Sequence, residues 1–297
     1  MKTNDYSALR QRLHHAIGGN SLIVCPGVFD GISAKIAERV GFEALYMTGY
    51  GICASYLGMP DAGIATYQDM VSRVTQLAKI TSLPLIADAD TGYGGLLNVM
   101  YTVAGYEAAG AAAIQLEDQE FPKKCGHMLG RRVTTAEDMV AKIRVAVESR
   151  SDKKFLIIAR TDSRTTYGLD EALRRAEMYA NAGADILFIE SPESVEEMER
   201  IGASFDLPLV ANMVEGGRTP ILSAKELEQI GYKIAIFPAL GFLASGKAME
   251  LVFASLHTEK STAETDVPLY NFQAFSSLMG FDAVTTFDRR HGNRDDD

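Results

Sequence analysis

Short apolar, β-branched runs recur along the chain, each ending in a polar or charged residue and followed by a helical pattern. The runs predict strands at 22–25, 44–47, 85–88, 113–116, 155–159, 186–189, 209–212 and 234–237. The segments between them predict helices at 31–40, 66–80, 97–109, 135–149, 169–182, 194–203, 224–230 and 243–256. Three helices end in similar text: Val40-Gly41-Phe42, Ala109-Gly110-Ala111 and Ala182-Gly183-Ala184. Glycine just past a helix is the expected terminator, so the phrase is a weak repeat of a βα unit. Eight alternating strands and helices over about 250 residues predict an α/β fold, a (β/α)8 TIM barrel. A doubly wound open sheet competes, but no G-x-G-x-x-G opens the first helix. Residues 1–297 are expected as one barrel domain, with 261–287 adding one or two helices and 289–297 forming a disordered tail.

A barrel of this kind carries its site at the C-terminal ends of the strands, and polar residues fall there. Strand two runs into Tyr46, Thr48, Gly49 and Tyr50, strand three into Asp88 and Asp90, and strand four into Glu117 and Asp118. Strand five ends in Arg160 and Asp162, strand six in Glu190, and strand seven in Asn212. An acid after a strand is also a common N-cap, which is the competing reading for Asp118 and Asp162. On an extended strand, Asp88 and Asp90 point to the same face. Two carboxylates about 5 Å apart repel by roughly 3 kcal/mol at an effective dielectric near 20, unless a cation, a proton or a base offsets them. The following Gly92, Gly94 and Gly95 allow a tight turn close to a ligand.

Asp88, Asp90 and Glu117 form an all-oxygen set that suits Mg²⁺, with Mn²⁺ as substitute, rather than zinc. Arg160 is a fork donor for a carboxylate or phosphate. The stretch Glu117 to Arg131, EDQEFPKKCGHMLGR, is broken by Pro122 and Gly126 and reads as a loop over the barrel mouth. Basic neighbours should hold the Cys125 thiol below the ~8.5 of a free thiol. That thiol is a candidate nucleophile or a general acid toward a carbanion. Cys25 and Cys53 read as core residues.

The formal charge of −10 argues against nucleic acid or an anionic membrane surface as partner. Three cysteines fit a reducing compartment without a disulfide framework. The first seventeen residues hold no apolar leader core, and no apolar run approaches the ~20 residues of a membrane span, so a cytoplasmic protein is expected.

DADTGYGG, IQLEDQ, PKKCGH, ARTD and ANMVEGG-TP together resemble the isocitrate lyase / phosphoenolpyruvate mutase superfamily, over roughly residues 24–238. The K-K-C-G-H loop resembles its carbon–carbon lyase branch, and the length resembles the short methylisocitrate lyase-like and 2-alkylmalate lyase-like enzymes. The resemblance implies a barrel with a helix exchanged between subunits, a homotetramer, and Mg²⁺. It implies Asp88 as the direct metal ligand, with Asp61, Asp90 and Glu117 holding metal-bound waters. Cys125 would be the general acid on a gating loop, supported by Lys123 and His127, with Gly126 among the substrate-binding residues. Thr48, Gly49, Tyr50 and Arg160 would hold the pyruvate-like half, Tyr46 would take the hydroxyl proton or help to, and Glu190 and Asn212 would complete the pocket. Methylisocitrate lyases tend to read N-I-T-E after strand seven; here Val214 replaces the threonine and cannot hydrogen-bond a third carboxylate. That points to a smaller dicarboxylate, as in the dimethylmalate lyase and petal-death-protein group. The implied reaction is Mg²⁺-dependent cleavage of a 2-alkylmalate-type acid to an oxo acid plus a carboxylic acid. Oxaloacetate hydrolysis is the alternative, with a phosphonopyruvate-forming mutase or an idle metal-binding barrel behind it.

Overall fold

The computed structural model describes residues 4–263 and 265–292. Its eight strands are β1 (Ile23–Val28), β2 (Leu45–Met47), β3 (Leu85–Asp88), β4 (Ala113–Glu117), β5 (Leu156–Thr161), β6 (Ile186–Ile189), β7 (Val210–Asn212) and β8 (Ile234–Phe237). Each pairs in parallel with its sequence neighbour, and β1 pairs with β8. A bridge from Leu187 to Leu209 and a hydrogen bond from Leu187 N–H to Pro208 O (3.0 Å) nearly close the ring between β6 and β7. The (β/α)8 expectation therefore holds, and the open sheet is excluded.

The outer helices are α2 (Gly31–Val40), α4 (Tyr67–Ile80), α5 (Leu96–Ala109), α6 (Ala136–Ser149), α8 (Leu169–Asn181), α9 (Val195–Gly202) and α10 (Ala224–Ile230). Side-chain caps start most of them: Asp30, Thr66, Thr135, Ser194 and Ser223 each accept an N–H from the first turn. The repeated glycines 41, 110 and 183 all lie in the left-handed region, at φ 102°, 101° and 102°, where other residues are strained. Among the described residues four helical segments lie outside the predicted set: α1 (Tyr6–Ile17), the one-turn α3 (Gly49–Ile52) with the π-helix Cys53–Leu57 that continues it, and the one-turn α7 (Arg164–Tyr167).

One apolar cluster fills the space between strands and helices. A second fills the barrel interior, from Ile23, Cys25 and Ile234 to Phe188 and Tyr46, and includes Leu13 and Ile17 of α1. Helix α1 thus plugs the N-terminal mouth, leaving the opposite rim for chemistry.

The chain divides into two compact units between Phe242 and Leu243. The second holds most of α11 (Leu240–Glu259), with α12 (Phe272–Met279) and α13 (Phe281–His291). No residue of these three helices is buried. The stretch expected as a tail begins inside α13, which takes in Arg289, Arg290 and His291; residues 293–297 lie outside the described residues. Among the described residues no helix is long and apolar enough to cross a membrane.

Candidate active site

The rim is built where strands stop. After β2, Thr48 caps α3, accepting the Gly51 N–H at 3.3 Å. A Cβ on Gly49 would lie 2.6 Å from Asp88 Oδ2, so the backbone meets that carboxylate only because residue 49 is glycine. Strand β3 ends at Asp88, and Asp90 turns into the left-handed region (φ 48°). The two acids do converge, but through a tight turn rather than strand alternation: Asp90 N–H donates to Asp88 Oδ1 at 3.1 Å. Gln115 Nε2 also donates to Asp88 Oδ1 (3.3 Å), and Tyr46 Oη donates to Gln115 Oε1 (3.0 Å).

Glu117 lies at the end of β4, 2% exposed, with Oε1 lacking any hydrogen-bond partner. Lys123 Nζ pairs with Asp90 Oδ1 at 2.6 Å and with Asp61 Oδ1. Burial raises the pKa of Asp88 and lifts Glu117 well above the carboxylate range. Burial, with Asp88 beside it, pushes Asp90 up to about 7 despite Lys123. Burial works against the Lys123 charge too, but Asp90, Asp61 and Glu117 outweigh it. Lys123 and Arg160 therefore only partly offset the cost of burying these acids together.

Among the described residues no group of three His, Cys, Asp or Glu side chains is arranged to hold a metal ion directly. Mg²⁺ does not need one, since it keeps several waters and takes one or two carboxylates directly. The donor set of Asp88, Asp90 and Glu117, with its partnerless buried Oε1, fits a hydrated hard cation.

Arg160, on β5, is held from every side. Its Nε and Nη2 donate to Asp162 Oδ2 and Oδ1 (2.9 and 2.8 Å), while Glu190 Oε2 lies at 3.3 Å and Glu117 Oε2 at 3.5 Å. The guanidinium sits over the Phe188 ring. Glu190 is fully buried; burial alone would raise its pKa, yet Arg160 and His127 pull it down to about 2. Asn212 Nδ2 donates to Glu190 Oε2 at 3.0 Å, and Asn212 Oδ1 has no partner.

The loop after β4 is seated across this rim. Cys125 N–H donates to Asp61 O (3.1 Å), Ser191 Oγ donates to Gly126 O (3.0 Å), and Arg218 N–H donates to His127 Nδ1 (3.1 Å). His127 Nε2 lies 3.6 Å from Glu190 Oε1, and burial lowers its pKa, which favours the neutral ring. A Cβ on Gly126 would lie 2.7 Å from Glu190 Oε2 and closer still to Arg160 Nη2.

The expected low Cys125 pKa is overturned. Burial raises this thiol to about 11; Asp61 and Glu190 add to the rise, and the His127 N–H and Arg160 only moderate it. The sequence-adjacent cations do not serve the thiol: Lys123 is paired with acids, and Lys124 Nζ reaches out to Gly130 O. The Tyr46 phenol is likewise held protonated, well above its ordinary range, by burial and then by Asp88. Tyr50 is not brought to the cluster; it is 40% exposed and stacks on Phe242 at 5.0 Å between centroids. Cys25 and Cys53 are core residues as expected, both pushed up to about 12 by burial. Asp118 is structural, its carboxylate taking hydrogen bonds from Thr161, Tyr179, Arg175 and the Asp162 N–H. Gln115, Arg131 and Ser191 belong to the site and were not predicted. Gln115 was legible, being two residues before Glu117 on one strand.

The sequence profile of phosphoenolpyruvate phosphomutase matches residues 9–257. The chain belongs to the phosphoenolpyruvate mutase / isocitrate lyase superfamily. Within the superfamily it is 48% identical to 2,3-dimethylmalate lyase of Eubacterium barkeri, covering 92% of this chain and 94% of that protein. It is 43% identical to 2-methylisocitrate lyase of Aeropyrum pernix, covering 91% and 86%. Among solved structures, oxaloacetate acetylhydrolase bound to 3,3-difluorooxalacetate superposes with TM-score 0.92 at 33% identity, covering 99% of this chain and all of the other. A phosphonopyruvate hydrolase complex with oxalate and Mg²⁺ superposes at 0.86 and 30% identity, covering 95% and 98%. The chain is thus similar in sequence to proteins named as lyases and in structure to proteins named as an acetylhydrolase and a hydrolase.

Proposed function

We propose that this protein is a Mg²⁺-dependent carbon–carbon lyase that cleaves a 2-alkylmalate-type dicarboxylate to an oxo acid such as pyruvate and a carboxylic acid. The observation that carries the reading is a protonated thiol on a loop seated over buried acids and a caged arginine. Thr48, Gly49 and Arg160 hold the carboxylate of the oxo-acid half. A magnesium ion among Asp88, Asp90, Asp61 and Glu117 would supply charge against the oxygens that gain electron density. Tyr46 keeps its proton on Gln115 and receives the C2 hydroxyl as a hydrogen bond, and the hydroxyl proton passes to the rim carboxylate Glu117, which burial makes more basic and whose Oε1 has no partner. Breaking C2–C3 leaves the electron pair on the departing half as a carboxylate-stabilised enediolate. Cys125 gives its proton to that carbon, and a thiol held near 11 is loaded for this at neutral pH. His127, neutral and fixed on Glu190 and the Arg218 N–H, holds the thiol-bearing loop in place.

Two further expectations belong here. Helices α11–α13 leave Phe253, Leu256, Phe272, Phe281 and Phe287 exposed, which is support for helix exchange in a homotetramer. The net charge of −10 weighs against a nucleic-acid or anionic-membrane partner, and three cysteines, all free, support a cytoplasmic enzyme; its small dicarboxylate substrate is held by local charge, Arg160, rather than by the overall charge. Oxaloacetate hydrolysis is the second reading, favoured by the similarity to oxaloacetate acetylhydrolase and disfavoured by the higher identity to 2,3-dimethylmalate lyase. A panel of 2-alkylmalates, methylisocitrate and oxaloacetate, assayed for pyruvate, glyoxylate, oxalate and acetate with and without EDTA, decides. Metal-dependent pyruvate from an alkylmalate supports the proposal, and its absence across the panel ends it.

A further inference from the structure

The last residue of the rim loop has a role the mechanism above does not use. Arg131 is only 3% exposed, although arginines at loop ends are usually solvated. Its Nε donates back to Met128 O within the loop (3.1 Å), and its Nη2 to Thr165 Oγ1 (2.5 Å). Its Nη1 pairs with Asp162 Oδ1, the same oxygen that accepts Arg160 Nη2 at 2.8 Å. The Asp162 backbone is anchored by its N–H on Asp118 Oδ1 at 2.8 Å, and its two carboxylate oxygens are held by Arg160 and Arg131 themselves. A single carboxylate therefore serves the loop and the substrate-gripping arginine together. Above it, Gly126 of the same loop packs on Arg160 Nη2 and Glu190.

We propose that Arg131 is a positioning residue that couples seating of the loop to the aim of Arg160 through Asp162. With the loop seated, Arg131 offsets part of the negative charge around Arg160 and leaves Nη1, whose nearest acid is Glu117 Oε2 at 3.5 Å, to meet a substrate carboxylate. With the loop lifted, Arg160 is the cation left to both Asp162 and Glu190, and the guanidinium is drawn inward. Anion binding and loop closure are then one event rather than two.

This rests on the proposed grip of Arg160 on the oxo-acid half, and the experiment separates the two. Oxalate binding in the presence of Mg²⁺ is measured by calorimetry on the full chain, and loop closure by trypsin cleavage after Lys124. The variants are Arg131→Lys, Arg131→Met and Arg160→Met, each with its melting temperature. Arg131→Met is expected to weaken oxalate about tenfold and to abolish oxalate-induced protection of the loop. Arg131→Lys keeps the charge but cannot span Met128, Asp162 and Thr165 at once. It should melt close to wild type and still lose most of the protection. A purely structural arginine would lower the melting temperature while leaving oxalate affinity and protection within twofold of wild type, and that result overturns the coupling. If Arg160→Met binds oxalate like wild type, the grip itself is wrong and the coupling falls with it.

Discussion

Titration of Cys125 is the sharpest test of how this site works. A thiol near the free value of ~8.5 would be about 90% thiolate at pH 9.5, whereas one at about 11 would be only about 3% ionised there. The two cases differ roughly thirtyfold in thiolate, so the contrast needs no fine measurement. Difference absorbance at 240 nm between wild type and Cys125→Ser isolates this thiol, because Cys25 and Cys53 subtract out. The measurement is made on metal-free protein from pH 6 to 10.5. Burial dominates the shift, and the loop must stay seated for burial to act, so the curve should still be rising at pH 10. The physical stake is which end of the reaction the cysteine serves. A nucleophile gains from a depressed pKa; a proton donor to a strongly basic enediolate must hold its proton when the bond breaks. A midpoint at or below about 8.5 would refute the acid assignment and restore the nucleophile.

The other predictions follow from the same geometry. In the metal-free protein Asp90 holds a proton below about 7, and a cation must displace it. Mg²⁺ affinity should therefore fall about tenfold from pH 8 to pH 6, with proton release seen by calorimetry in buffers of different ionisation enthalpy; a flat profile contradicts this. Gly126→Ala places a methyl 2.7 Å from Glu190 Oε2 and closer still to Arg160 Nη2, lifting the loop by about 1 Å. Turnover should drop about a hundredfold at an unchanged melting temperature. Asp118→Ala takes the buried acceptor from Thr161, Tyr179, the Asp162 N–H and Arg175, which keeps Glu171 and Thr134 O, at a cost of about 3–5 kcal/mol. Thermal unfolding should move down by roughly 10 °C, and a shift under 3 °C would show that the carboxylate is not structural.

What could be read from the sequence, and what could not, divides along a physical line. Strands β3, β6 and β8 match their predicted bounds because a strand covered on both faces reads as an unbroken apolar run. Helix α1 carries only Leu13 and Ile17 into the barrel floor from an otherwise polar segment, so periodicity gave little warning of it. The one-turn α3 and α7 are set by the turns they complete and have no pattern of their own. Placing Asp88, Glu117, Arg160, Glu190 and Asn212 on one rim needed only the rule that barrel chemistry sits where strands end. Assigning each its work needed neighbours in space. Asp118 and Glu117 are adjacent acids after one strand, yet Asp118 is spent on four donors while Glu117 keeps an oxygen free.

Cys125 marks the boundary most clearly. Lys123 and Lys124 beside it in sequence suggested an acidic thiol, because charge was counted along the chain. In the fold, one lysine is captured by Asp61 and Asp90 and the other points to Gly130 O, so neither reaches the sulfur. What surrounds the sulfur instead is low-dielectric packing with Asp61 and Glu190 near it, and both effects favour the neutral thiol. The same loop that carries the cysteine thus disarms its own cations by spending one on the acid cluster. A seated loop is therefore the condition under which the thiol is a proton donor. An unseated loop would free Lys123, expose the sulfur, and return it to the ordinary thiol range.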